Sequence, residues 1–225
     1  MIEIPIIEIK NLTVVFNENT PYEVIALKDL TLKIKHGEVL VVTGSNGTGK
    51  STLLNAIAGL IPIKAGQILF NGLDITHMKP IKRAKFIGYV YQDVMLGTCP
   101  NLTLHENFQI TNTNKWWLPI PYKLCLSQKQ IESIKRTSLT SESRTSTKMN
   151  IFSGGQRQAI ALCLAFENNK PILLCDEFIS ALDENAISSV LAYTFEQAKT
   201  NNTTVLMVLH NISAVEKFST NFLRL

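Results

Sequence analysis

No stretch of this 225-residue sequence reaches the ~20 consecutive apolar residues that a membrane-crossing helix needs; "VLVV", "PILLC" and "VLMVL" are each strand-sized. Any membrane connection is therefore expected through a partner. A clustered basic stripe is missing too. The 22 Lys and Arg against 18 Asp and Glu leave a net charge of +4 scattered along the chain, so no nucleic acid partner is expected. The four cysteines, Cys99, Cys125, Cys163 and Cys175, share no metal-ligand spacing and read as reduced thiols of a cytosolic protein. The opening "MIEIPIIEIK" has no basic region ahead of an apolar stretch of signal-peptide length, so no secretory leader is expected. With 45% hydrophobic and 18% charged residues, the disordered and collagen-like classes are excluded. No internal repeat is found. What remains is one large globular domain, long enough to bury a real core.

Short β-rich runs alternate with helix-sized patterns, the sequence form of an α/β fold. Near the start, "IIEIKNLTVVF" and "LTLKIKHG" alternate like half-exposed antiparallel strands. "EVLVVTG", "KPILLCDE" and "TTVLMVLH" are nearly continuous in apolar residues, as parallel strands covered on both faces should be. "QILFNG", "FIGYVYQD" and the final "FLRL" add further strands. Between about Asp93 and Phe152 the strand signal stops, and "LTLHENFQI" and "SQKQIESIKR" read as helices. The expectation is a single domain over 1–225, with a core from 1–92 and 153–225 and an inserted α-helical subdomain at 93–152. Its tail, "TSLTSESRTSTKMN", is nearly all Ser, Thr and charge and predicts a flexible connector.

Three clusters carry chemistry. "GSNGTGKST", comprising Gly44, Ser45, Asn46, Gly47, Thr48, Gly49, Lys50, Ser51 and Thr52, fits the phosphate-loop pattern between a strand and a helix. Glycines let successive N–H groups point inward, and the helix start adds partial positive charge, which together cradle phosphate oxygens. Lys50 would reach the β- and γ-phosphates, and the Ser51 hydroxyl would hold Mg2+. In "PILLCDE", Asp176 and Glu177 leave the C-terminal end of a buried strand, where ligands sit in open α/β sheets. Asp176 suits a metal role and Glu177, on the other side of the strand end, that of general base. "FSGGQRQAIALCLAF" then puts Ser153, Gly154, Gly155 and Gln156 at a second bare helix start. With two phosphate-facing helix ends but one phosphate-loop lysine, a simple arrangement is a two-fold dimer in which each copy offers its "SGGQ" end to the other.

These motifs, in this order, resemble the ATP-binding subunits of ABC transporters over nearly the whole chain: "GSNGTGKS" as Walker A, Gln92 of "YQD" as the Q-loop, "FSGGQ" as signature, "ILLCDE" as Walker B, Asp183 of "SALD" as D-loop and His210 of "VLHN" as switch histidine. Phe152 stands where the family usually has Leu. The resemblance implies a P-loop NTPase fold and a head-to-tail homodimer closing over two Mg2+-ATP molecules, with hydrolysis reopening it. It implies that Gln92 reaches Mg2+ and water and that His210 meets the γ-phosphate. Asp183, an expected helix N-cap, would also contact the other copy. An aromatic near the N-terminus would stack on adenine; Phe16 fits the usual position, with Tyr22 as the competitor.

The resemblance also implies a transmembrane permease as partner and a place on the inner face of the cell membrane. "GTCPNLTLHEN" resembles an importer subgroup that works with an extracytoplasmic substrate-binding protein, with aromatic amino acids as a candidate cargo. Trp116 and Trp117 in "KWWLPIPY" read as small-core packing before partner surface. Family members usually continue past "NFLRL", which implies a truncated or minimal subunit. A GTPase would show an N-K-x-D-like guanine reader, which is absent. The remaining alternative is a soluble ABC-type mechanical ATPase, against which the short insert and single cassette argue.

Overall fold

Alternation builds the first sheet. Strand β1 (Ile7–Phe16) buries Ile7, Ile9, Leu12 and Val14, the step from 9 to 12 marking a bulge where Asn11 takes φ +49°. It pairs antiparallel with β2 (Val24–Ile34) on one side and β4 (Ala65–Phe70) on the other, and the two-residue β5 (Leu73–Asp74) finishes the order β2-β1-β4-β5. The computed structural model describes residues 4–111, 126–137, 144–210, 214–218 and 221–225. Cys125, Trp116 and Trp117 lie outside these.

The second sheet is parallel throughout, with the order β6-β7-β8-β3-β9: β3 (Val39–Thr43), β6 (Ile87–Val90), β7 (Ile172–Asp176), β8 (Thr204–Val208) and β9 (Asn221–Arg224). Every residue of β7 and β8 is buried, as continuous apolar runs require when both faces are covered. Side chains alternate between the faces. Val41, Leu173, Cys175, Val205 and Met207 enter one core cluster, while Leu40, Val42, Leu174, Leu206 and Val208 enter the other. Each fully buried Leu or Ile stabilises the fold by about 2 kcal/mol.

Helix α1 (Lys50–Ala58) packs in the cluster that includes β1, and the short α2 (Pro80–Arg83) that follows β5 is tied to its end by Arg83, whose guanidinium donates to Ala56 O and Ile57 O. The other cluster takes α3 (Leu104–Thr111), α4 (Gln128–Arg136), α5 (Gly154–Glu167) and α6 (Glu184–Asn201). Leu104, Phe108 and Ile134, from α3 and α4, share that cluster with strand residues Leu173 and Val205. Among the described residues no helix is long and apolar enough to cross a membrane.

The Ser- and Thr-rich tail departs from expectation where it is described. Instead of a flexible connector, residues 144–152 are laced to the start of α3. Leu104 N–H donates to Thr147 O, His105 N–H to Thr145 O and Met149 N–H to Leu102 O, with a Thr103–Lys148 bridge between them. Met149 and Phe152 are almost completely buried and anchor the segment. Polar side chains point outward while the backbone supplies the order, which composition cannot show. Cys163 and Cys175 are buried unpaired thiols, Cys163 pushed up to about 12 by burial, whereas Cys99 is exposed.

Candidate active site

Loop 44–49 joins β3 to α1. Gly49 sits at φ +92°, and a Cβ there would stand 2.4 Å from Ala26 O, so only glycine fits both the turn and the neighbouring strand. The start of α1 has no side-chain cap. By contrast, α4 and α5 open with full capping boxes, α6 is capped by Asp183, and Thr103 with Glu106 does the same for α3. The free N–H groups and partial positive charge of α1 are thus left for an anion. Lys50 is 5% exposed, and its ammonium donates to Gly44 O at 3.0 Å and Ser45 O at 2.8 Å, which leaves one of its three N–H bonds to offer. Thr48 Oγ1 donates to Ser45 O at 3.0 Å, tightening the same loop.

Ser51 Oγ donates to Asp176 Oδ1 at 2.9 Å, linking the first turn of α1 to the end of β7. Tyr89 on β6 supports this pair, its hydroxyl lying 3.1 Å from Asn55 Oδ1 and 3.4 Å from Asp176 Oδ2. Burial raises the Asp176 carboxyl above its ordinary value; the Ser51 bond opposes this, and the Glu177 charge adds to it. Glu177 has φ +43°, a region costing a non-glycine residue about 1 kcal/mol. Both of its oxygens are taken: Gln92 Nε2 donates to Oε2 at 2.9 Å, and His210 Nε2 lies 2.7 Å from Oε1. Residues 85 and 33 positions away from Glu177 thereby meet on one carboxylate.

Most of the expected set opens onto one cleft of about 470 Å3. Phe16, Asn46, Gly47, Gly49, Lys50, Ser51, Thr52, Gln92, Glu177 and His210 line it, with Val24 and Ala26 beside Phe16. Gly44, Ser45, Thr48 and Asp176 lie off its wall, joined to it by the bonds just described. Tyr22 also lies off it, 78% exposed, so Phe16 is the aromatic of the cleft. Among the described residues no three or more His, Cys, Asp or Glu side chains could hold a metal alone. The oxygens of Ser51 and Asp176, 2.9 Å apart, are nevertheless hard donors of the kind Mg2+ takes when phosphates complete its shell.

The signature residues are elsewhere. Ser153, Gly154, Gly155, Gln156 and Asp183 contribute nothing to the cleft wall. Ser153 Oγ accepts from Gln156 N–H at 3.3 Å while Gln156 Oε1 accepts from Ser153 N–H at 3.1 Å, so this end caps itself and keeps the Ser153 O–H proton free to donate outward. Arg144, to which the motifs do not point, stacks its guanidinium 4.3 Å above the Phe152 ring beside that turn. A Cβ on Gly155 would come within 3.0 Å of Leu182 and 3.1 Å of Ala181 O, so the helix start rides close on the segment leading to Asp183. Asp183 Oδ1 accepts from Ala186 N–H at 2.9 Å as the N-cap of α6. A hollow of about 540 Å3 near Glu38 and Phe195, at the N-terminal edge of the parallel sheet, holds none of the motif residues.

The profile described as ABC transporter matches residues 27–180. The chain belongs to this family. It is an ATP-binding, ATP-hydrolysing subunit of the ABC transporter type. Among its relatives is the tyrosine transport ATP-binding protein of Clostridioides difficile, 37% identical over 92% of this chain and 82% of its own length. The phosphonates import ATP-binding protein PhnC of Fusobacterium nucleatum is 30% identical over 98% of this chain and 88% of its own. Of solved structures, a dimeric post-hydrolysis state of the ATP-binding cassette MJ0796 bound to ADP and Pi superposes with a TM-score of 0.75 at 28% identity, covering 92% of this chain and 89% of that one. MJ0796 is a protein of Methanocaldococcus jannaschii. Tyr89 and Asn55 are supporting residues of this ABC cassette that its motifs do not reveal. The period of two along "FIGYVYQ" sets Tyr89 and Tyr91 on one face, where their rings stack at 4.4 Å, and that is the signal the sequence offers.

Proposed function

We propose that this subunit drives import through a membrane permease by closing, head to tail, with a second copy over two Mg2+-ATP molecules. One observation carries this reading. The cleft of a single protomer gathers the phosphate loop, Gln92, Glu177 and His210, while the donor-rich start of α5 lies off it. A phosphoryl transition state needs charge neutralised around its equatorial oxygens, and a second helix start is the natural supplier if it arrives from another copy. The dimeric, ADP- and Pi-bound state described for MJ0796 supports the same arrangement.

In this reading Lys50 and the N–H groups of residues 46–52 bind the β- and γ-phosphates, and Phe16 stacks on adenine. Ser51, Asp176 and Gln92 would hold Mg2+, which when bound neutralises phosphate charge. Glu177 takes the proton from the attacking water, and His210 orients that water and the γ-phosphate. Ser153, Gly154, Gly155 and Gln156 of one copy meet the nucleotide of the other, and Asp183 lies in the contact between copies. The helical subdomain expected at 93–152 meets the permease on the inner face of the membrane. The two curated relatives reported above support transport, and PhnC supports import; the tyrosine relative favours an aromatic amino acid as cargo, delivered by an extracytoplasmic binding protein.

With ATP, Glu177→Gln should sediment as a dimer that scarcely turns over. Adding Ser153→Arg should return it to monomers that bind ATP as before. A Glu177→Gln dimer that survives Ser153→Arg would sink the head-to-tail reading.

A further inference from the structure

The helix that begins at Ser153 does more than present its first turn. Its next residues bond to the segment around Gln92 at two points and pass close to it at a third. Gln158 Nε2 donates to Tyr91 O at 2.9 Å, Arg157 Nη1 meets Met95 Sδ at 2.7 Å, and a Cβ on Gly97 would stand 3.0 Å from the Ala161 methyl. Residues 157, 158 and 161 share one side of α5, so the helix grips 91–97 along a continuous strip. Gln92 lies between the first two grips.

The Tyr91 carbonyl belongs to the peptide whose N–H is that of Gln92. Because a peptide unit is planar and rigid, holding its oxygen fixes the plane from which the Gln92 side chain departs. That side chain donates to Glu177 at 2.9 Å. Gln158 is 1% exposed, and only its NH2 can face a carbonyl, so the amide orientation follows from the contact itself. Its own Oε1, together with Arg157 Nε, is buried and takes no hydrogen bond. A buried acceptor left unmatched is costly, and such groups call for a reason beyond stability. Holding the 91–92 peptide is one.

We propose that Gln158 is a positioning residue for ATP hydrolysis, using the Tyr91 carbonyl to keep Gln92 aimed at Glu177, so that a displacement of α5 carries Gln92 with it. The proposal rests on the roles given above to Gln92 and Glu177. It also supplies a physical link between the signature end, which reads the other copy, and the residue beside the reacting water of its own copy.

The test compares Gln158→Met, Gln92→Ala and the double variant in the full chain, measuring ATP turnover, KM and thermal midpoint. Methionine keeps the volume and removes both the donor and the unmatched acceptor, so the midpoint should stay within a few degrees. Turnover should fall about tenfold with KM for ATP within about twofold. Adding Gln158→Met to Gln92→Ala should change turnover no further, because the first acts only through the second. Multiplying losses in the double variant would mean a merely structural Gln158 and would overturn the proposal. So would full turnover in Gln158→Met beside a clear loss in Gln92→Ala. Full turnover in Gln92→Ala alone would instead remove the role of Gln92 itself, and the proposal with it. Should Gln158→Met fold poorly, Gln158→Leu read in the same cycle serves in its place.

Discussion

The starts of α1 and α5 are both glycine-rich and both expected to meet phosphate, yet the chain treats them differently. At α1 the cap is withheld: Gly49 offers no side chain, and Lys50, Ser51 and the two carboxylates at the end of β7 converge around the open end. At α5 the cap is complete, Ser153 and Gln156 satisfying each other's backbone, and what packs beside it is the segment leading to Asp183, not a residue of the cleft. An uncapped helix end is an unstable object unless a ligand finishes it, whereas a capped one holds its shape before anything arrives. On the function proposed above, one end is a receptor completed by nucleotide, and the other a preformed tool to be delivered.

The largest effect should come from breaking the receptor. Lys50→Ala removes both the ammonium and its bonds to Gly44 O and Ser45 O, and should cost at least ~100-fold in turnover. Ser153→Arg should be comparably inactive by fouling the tool. Mixed in equal amounts, the two dead proteins should regain turnover, up to about a quarter of wild type. A mixed pair owns one cleft of two with an intact lysine facing an intact serine, and random pairing would make half of the pairs mixed. Steady-state phosphate release measures this directly. No recovery on mixing would erase the distinction between the two ends.

A smaller effect separates capping from contact between copies. Asp183→Ala deletes the bond from Ala186 N–H and should cost ~1 kcal/mol of stability, seen in denaturant unfolding. Asp183→Asn caps equally well and should restore that stability. The carboxylate charge is then missing only from the contact between copies, so Asp183→Asn should still weaken the ATP-held dimer of Glu177→Gln. Sedimentation with ATP measures this, and a dimer of undiminished strength would leave Asp183 with capping alone.

How much of this is legible in the sequence differs between the two ends. The phosphate loop, the Asp176–Glu177 pair and the buried strands behind them are written in spacing and in continuous apolar runs, because tight turns and two-sided burial leave few residue choices. The start of α5 is legible for the same reason. What spacing cannot show is who meets whom: that Gln92 and His210 share Glu177, or that Gln158 reaches Tyr91 across 67 positions. Such meetings depend on strand order, and β6-β7-β8 places the ends carrying Gln92, Glu177 and His210 side by side although they are distant in the chain. The laced segment 144–152 escapes a reading by composition because its order comes from backbone bonds and two apolar anchors, Met149 and Phe152, within a polar stretch.

The smallest expected effect lies on the receptor side and tests how far its support extends. Burial and the neighbouring Asp176 charge push the Tyr89 hydroxyl well above its ordinary value, so it stays protonated and has one hydrogen to give. It stands 3.1 Å from Asn55 Oδ1 and 3.4 Å from Asp176 Oδ2, so it serves one acceptor well and the other weakly. Tyr89→Phe keeps the ring stacked on Tyr91 and removes only that hydrogen bond, worth about 1 kcal/mol, which corresponds to roughly fivefold. Because Asp176 is joined to the cleft through Ser51 and not to the start of α5, the loss should appear as a higher Mg2+ concentration for half-maximal turnover. The ATP-held dimer of Glu177→Gln should form as readily with Tyr89→Phe as without it. A variant that weakened the dimer while leaving the Mg2+ requirement untouched would place Tyr89 with the delivered tool, and the boundary between the two ends would have to be redrawn.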